Sequence, residues 1–370
     1  METQPLSNAA EMEDAALEFQ QQFQAAYLRY LKGARAVIAS RDIPVGLTPK
    51  ETIWTLNKAK LNRYQPVKTP EKRYPIPVLL VYALINKPYI FDLRPGRSFI
   101  EYMVNQGFDM YLLDWGTPGP EDKNIRFDDY AVEYLPRAVR KLLRVSGARE
   151  FHILGYCIGA TLTTLYAALF PEAPIRTITL LTPPLDFAAR RDSLFSLWLD
   201  EKYMNVDRLV NSLGNIPAEL IEVASKMLKP VENYVGAYQN LADRLDDPQA
   251  VENWEAMHKW VHDGVPFAGE AFRQWVQDLV RGNRLIKNEF VVRGRRADLA
   301  NIRAPFLNVT AEFDHIVPPS QSMSIMDLIS SQDKQLIQIK AGHVGIMGSS
   351  GKRLLWPQLV EWLEARSIPS

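Results

Sequence analysis

Five consecutive residues, Gly155-Tyr156-Cys157-Ile158-Gly159, carry the sharpest chemical signal in the chain. They match the G-x-S-x-G nucleophile elbow with cysteine in place of serine. The pattern is physical. A nucleophile exposed on a tight strand-to-helix turn needs tiny residues two before and two after it, because strand and helix nearly touch there. The turn also sets the sulfur at a helix N-terminus, where the dipole favours a thiolate. The backbone N–H of Ile158 then points to where an oxyanion would form. The alternative is a buried structural cysteine beside two chance glycines.

A thiol nucleophile needs a base and an orienting acid. Asp314 in Glu312-Phe313-Asp314-His315-Ile316-Val317-Pro318 and His343 in Ala341-Gly342-His343-Val344-Gly345 supply both, in the order Cys…Asp…His. Each follows a strand-like segment, and open α/β sheets place their sites at the carboxyl ends of strands. A second oxyanion donor is expected from the loop Ala83–Ile85, at Leu84 or Ile85. His315 competes on paper with Asp314 for a role, but adjacent residues of an extended loop face apart. His152 sits inside a strand and reads as core. His258 and His262 have a metal-compatible i, i+4 spacing with no H-E-x-x-H pattern or further ligand cluster nearby, so no metal is expected. Arg293, Arg295 and Arg296 are candidates to meet an anionic substrate, against the plainer reading of a solvated basic loop. Trp198, Trp254, Trp260 and Trp275 are either the lining of an apolar path or ordinary helix packing.

These residues need a scaffold. Short apolar runs at Pro77–Tyr82, Phe108–Asp114, Phe151–Gly155, Ile175–Leu181, Ala304–Thr310 and Lys334–Ile339 read as strands. Helical patterns at Arg97–Gly107, Phe127–Val145, Ile158–Phe170 and Leu354–Arg366 alternate with them, and Asp128 and Asp129 lie near the start of the second. The alternation predicts an α/β fold with a mostly parallel central sheet and helices on both faces. It stops over 186–298, a stretch rich in Trp, Tyr and Met with no clear strand, which reads as an inserted helical cap. Residues 9 to 38 predict one long amphipathic helix, followed by a Pro-dotted, irregular arm. The expected organisation is therefore an N-terminal helix and arm (1–70), a catalytic core (71–185 and 299–370) and a cap (186–298).

Composition excludes several classes. The 370 residues contain 43 Lys+Arg and 43 Asp+Glu, so no basic surplus points to nucleic acid. A 47% apolar content suffices for a large core. A single cysteine rules out an internal disulfide and fits a reducing compartment. The polar, acidic start and the lack of a long apolar run predict a cytosolic, soluble chain with no transmembrane segment.

Outside the elbow, the segments PVLLVYALINKPYIFDLRPGRSFIEYMVNQGFDMYLLDWGTPG, LGYCIGAT, TLLTPPLDF, ENWEAMHKWVHDG, GEAFRQWVQDL, ADLANIRAPFLNVTAEFDHIVPP and AGHVGIMGSS resemble the catalytic subunit of polyhydroxyalkanoate synthases, especially the two-component class III and class IV types. Many members carry a second glycine after the elbow, where this chain has Ala160. The resemblance implies an α/β-hydrolase fold. It also implies Cys157, Asp314 and His343 as a triad, and polymerisation of (R)-3-hydroxyacyl-CoA, chiefly 3-hydroxybutyryl-CoA. Coenzyme A would be part of the substrate and no separate cofactor is implied. It further implies a growing polyester chain as product, a second non-catalytic subunit, a homodimer or higher assembly, and a location at the surface of cytoplasmic granules. Competing expectations are a polyester depolymerase or thioesterase of the same fold, and a non-catalytic granule-associated protein.

Overall fold

The computed structural model describes residues 6–190 and 194–367. The first five residues of the polar N-terminus, residues 191–193 of the expected cap and the last three residues of the expected core lie outside the described residues. The chain divides into two compact units, Met1–Pro44 with Lys229–His262, and Val45–Leu228 with Asp263–Ser370.

The larger unit is built on an eight-stranded sheet. Its strands are β1 (Lys50–Leu56), β2 (Ala59–Tyr64), β3 (Val78–Val81), β4 (Met110–Asp114), β5 (Phe151–Tyr156), β6 (Ile175–Leu181), β9 (Phe306–Ala311) and β10 (Lys334–Ile339). The two short strands β7 (Val291–Val292) and β8 (Arg295–Arg296) form a separate hairpin. The spatial order is β1-β2-β4-β3-β5-β6-β9-β10. From β4 to β10 every pairing is parallel. β3 and β5 are buried along their whole length, as the continuous apolar runs VLLV and FHIL require in a sheet covered on both faces. The expected strands and helices recur within a few residues of their predicted ends. The helix expected over Phe127–Val145 runs from Phe127 to Ser146 with a π-helical stretch at Tyr130–Tyr134.

One part of the expected arm is ordered differently. Residues 50–64 form the antiparallel hairpin β1–β2, and β2 extends the main sheet by pairing antiparallel with β4 (Leu61 opposite Leu113). The core therefore begins before residue 71. The hairpin turns through Asn57 at φ 52, a left-handed conformation asparagine tolerates better than most residues. Inward Ala59 and Leu61 alternate with exposed Lys60, a period-two pattern too short to stand out beside the neighbouring prolines.

The smaller unit pairs the helix Leu6–Ala39 with helices at Ala237–Asp243 and Pro248–His262. Within it, Lys32 bonds Asp246 at 2.9 Å, Arg29 donates to the Ala242 carbonyl at 2.6 Å, and Lys259 donates to the Ile43 carbonyl at 2.9 Å. The expected cap is thus divided: residues 229–262 cluster with the N-terminal helix, and the remainder with the sheet. Phe19, Phe23, Tyr27 and Tyr30 of the long helix are each more than half exposed. No helix among the described residues is long and apolar enough to cross a membrane.

Candidate active site

Cys157 stands between β5 and the helix Ile158–Leu169 with φ 53 and ψ −127, a backbone conformation that non-glycine residues seldom adopt. The flanking glycines explain how it is tolerated. A Cβ on Gly159 would lie 2.2 Å from the Val81 carbonyl oxygen and 2.5 Å from that of Tyr82. A Cβ on Gly155 would lie 2.6 Å from both Ala160 Cα and Thr163 Oγ1. β3, β5 and the helix thus meet at van der Waals limits, and the strained residue is pinned by packing on three sides. Ala160 is fully buried at this crossing. Ile158 opens the helix, so its N–H has no intrahelical acceptor.

Asp314 and His343 lie in the loops after β9 and β10. His343 Nδ1 and Asp314 Oδ2 are 2.6 Å apart, and both side chains are almost wholly buried. The other carboxylate oxygen accepts the backbone N–H groups of Ile316 at 2.9 Å and Val317 at 2.8 Å. With Nδ1 committed to Asp314, Nε2 is the nitrogen of His343 left to serve Cys157, whose sulfur adds to the raising of the imidazole. Burial disfavours a charged imidazole here. The Asp314 carboxylate and the Cys157 sulfur outweigh it through charge and hydrogen bonding, and raise His343 to about 10. The arrangement favours an imidazolium held between a carboxylate and a sulfur.

Tyr156 is a supporting residue that sequence reasoning missed. Its ring lies 5.3 Å from the His343 ring, and its hydroxyl donates to the His343 carbonyl at 3.3 Å. It fills a variable position of the elbow pattern, so no spacing rule marks it.

Cys157 and Ile158 open into a cavity of about 360 Å³ whose wall includes Ile85, Leu220, Met227, Trp198 and Trp275. Of the expected oxyanion loop, Ile85 lines this cavity, whereas Leu84 is buried beside it without lining it. Trp198 and Trp275 belong to the wall. Trp254 and Trp260 instead sit in the smaller unit, where Trp254 Nε1 donates to the Ala237 carbonyl at 2.8 Å.

The remaining candidates go elsewhere. Arg293 pairs with Asp129 at 2.8 Å, Arg296 with Asp298 at 3.2 Å, and Arg295 donates to the Leu169 carbonyl across the Phe170 ring. All three stand on or beside the β7–β8 hairpin and none lines the cavity. His152 is core, bonded to Thr177 at 2.7 Å and Ser367 at 3.0 Å. His258 bonds Ser40 at 3.0 Å and stacks on Trp254. His315 is half-buried, and the Asp314 oxygens are engaged by His343, Ile316 and Val317. No group of three or more His, Cys, Asp or Glu able to hold a metal occurs among the described residues.

A parallel sheet with an elbow cysteine, and an acid and a histidine at the ends of later strands, defines a protein of the α/β-hydrolase fold. A profile of the alpha/beta hydrolase fold matches residues 76–349. Solved structures agree on the fold: a lipase candidate from Sulfolobus solfataricus superposes with a TM-score of 0.54 at 14% identity, covering 86% of this chain and 98% of that one. A metagenome-derived lipolytic enzyme does so at 0.50 and 16%, covering 82% and 97%. The chain belongs, within that fold, to the poly(3-hydroxyalkanoate) polymerase PhaC family. A profile of the poly-beta-hydroxybutyrate polymerase (PhaC) N-terminus matches residues 41–103. The chain is 35% identical to the poly(3-hydroxyalkanoate) polymerase subunit PhaC of Allochromatium vinosum, over 90% of this chain and 94% of that protein. It is 36% identical to the Synechocystis subunit, over 88% and 86%. It is 38% identical to the Haloferax mediterranei subunit over 88% of this chain, and spans 66% of that longer relative.

Proposed function

We propose that this chain is the polymerising subunit of a polyhydroxyalkanoate synthase, and that Cys157 carries the growing acyl chain as a thioester. The observation that supports this most is the 2.6 Å Asp314–His343 pair together with an elbow cysteine that lines an apolar cavity, in a chain of the polymerase family.

In the resting pair the Cys157 proton sits on the imidazole of His343, and in the first step the thiolate attacks the carbonyl carbon of a 3-hydroxyacyl-CoA thioester. The N–H of Ile158, with one from the loop at Ile85, stabilises the oxyanion. The C–S bond to coenzyme A breaks, and the departing sulfur takes the proton from His343. Thiol-to-thioester exchange is nearly thermoneutral, so the acyl group keeps its activation, which a serine ester would lose. In the second step the hydroxyl of another hydroxyacyl unit gives its proton to His343 and attacks the Cys157 thioester. An ester forms and the Cys157 thiolate leaves. Asp314 holds His343 in the required tautomer and stabilises the imidazolium. Water in place of the alcohol would give hydrolysis, and the apolar wall of Trp198, Trp275, Leu220 and Met227 disfavours it.

The relatives are named as polymerase subunits. By analogy this chain works with a second, non-catalytic subunit, as a dimer or larger assembly, at the surface of cytoplasmic polyester granules. The preferred monomer is 3-hydroxybutyryl-CoA. The test is acid-quenched turnover with (R)-3-hydroxybutyryl-CoA followed by peptide mass analysis. Hydroxybutyryl units on the peptide holding Cys157 are expected. In Asp314→Asn, slow formation of that adduct means the carboxylate acts through His343, while its accumulation means direct action on the hydroxyl. Turnover with no adduct on Cys157 would refute the covalent mechanism.

A further inference from the structure

The segment Thr182-Pro183-Pro184, directly after β6, holds a strained residue near the site that the mechanism above does not use. Thr182 has φ 45, in the left-handed region where a β-branched residue is an outlier. It is fully buried, and its hydroxyl has no hydrogen-bond partner among the described residues. A residue with two such penalties persists only where its surroundings over-determine it.

Here the surroundings are the two halves of the site. The carbonyl of Leu181 accepts the N–H of Cys157 at 3.0 Å. The N–H of Thr182 donates to the Val309 carbonyl on β9 at 2.8 Å. The carbonyl of Pro183 accepts Ser322 Oγ at 2.8 Å, and that of Pro184 accepts Thr161 Oγ1 at 2.9 Å. Leu185 and Asp186 donate their N–H groups to the Gln321 carbonyl at 3.4 and 2.8 Å. Cys157 and Thr161 belong to the nucleophile turn and its helix. Val309 and Ser322 stand on either side of the loop that carries Asp314. Successive backbone groups of one short turn therefore hold the nucleophile segment and both ends of the acid loop.

We propose that Leu181–Pro184 is a positioning element that sets the nucleophile against the acid–imidazole pair, and that the left-handed backbone of Thr182, rather than its side chain, is what the element requires. The prolines suit the role: neither carries an N–H that must be satisfied, and both have φ fixed in advance. The inference rests on the reading of Cys157 and His343 as a working pair.

The test is the rate of Cys157 alkylation by iodoacetamide across pH, which needs no acyl substrate. Thr182→Gly, free to keep φ positive, is expected to stay within about twofold of wild type. Thr161→Val combined with Ser322→Ala cuts a tether on each side without touching the catalytic side chains. It is expected to slow alkylation at pH 7 about tenfold and to flatten the pH profile, while circular dichroism stays native. Restoring Thr161 in that double variant should recover part of the loss. A merely structural role would lower the melting temperature and leave the profile of the folded protein unchanged. A natively folded double variant with the wild-type rate and profile would overturn the proposal. So would a Thr182→Gly variant as slow as the double one. If wild-type Cys157 reacts no faster than an unstructured thiol, the Cys157–His343 pairing falls and the positioning role with it, which is a separate result.

Discussion

At the scale of single residues, the site is a sulfur, an imidazole and a carboxylate whose charges support one another. His343 is raised to about 10 against an ordinary value of 6.5. A folded-state value above the unfolded one stabilises the fold fully below pH 6.5, and the contribution is lost as pH rises through about 10. The melting-temperature advantage of wild type over His343→Gln should therefore shrink between pH 6.5 and 10; an advantage that grows with pH would contradict this. Asp314→Asn should lower kcat by about 10⁴-fold through loss of the tautomer, read by steady-state turnover with the melting temperature as a folding control. Gly159→Ala should cost about 1–3 kcal/mol in urea unfolding, because its Cβ would meet two backbone oxygens that cannot move independently. The elbow was legible in sequence because this crossing demands glycine at fixed offsets. The contact of Tyr156 and the proposed role of Thr182 were not, because one works through a ring face and the other through a backbone N–H, and neither constrains residue type in a readable pattern.

At the scale of elements, alternating apolar runs and helical stretches made the parallel strands readable, since strands buried on both faces are simply continuous apolar runs. The hairpin β1–β2 was not readable. Its outward residues are polar, it is flanked by prolines, and its two-residue turn, Asn57-Lys58, lacks the glycine that usually marks one. Asn57→Val should destabilise by about 1–2 kcal/mol, the cost of forcing a β-branched residue into the left-handed region; urea unfolding reads it, and no change would mean the turn rearranges freely. Beneath the C-terminal helix, burial, with Arg176 and Arg366 adding to it, pushes His152 down to about 3. Between pH 6.5 and 3 the unfolded chain binds a proton at this position that the folded chain refuses, so stability falls as pH falls. His152→Gln should show a shallower loss of melting temperature from pH 6.5 to 4 than wild type. An equally steep loss would place the acid sensitivity elsewhere.

At the scale of the whole molecule, the division of the chain was not legible, because residues 229–262 have the same helical, aromatic character as their neighbours and only contacts distinguish them. The part that clusters with the sheet walls a cavity of about 360 Å³ over the cysteine with apolar side chains. That wall is what a transferase needs if an activated acyl group is to await an alcohol rather than water. A balanced charge of 43 against 43 gives no net attraction for an anionic thioester. Capture is then left to local contacts. The most direct test of the central claim is release of coenzyme A from (R)-3-hydroxybutyryl-CoA by wild type and Cys157→Ala, each alone and with any second subunit that copurifies, with the acyl product sized. The account predicts release that disappears with Cys157 and yields chains longer than a few units. Release that survives Cys157→Ala, or that yields only free 3-hydroxybutyrate, would contradict it.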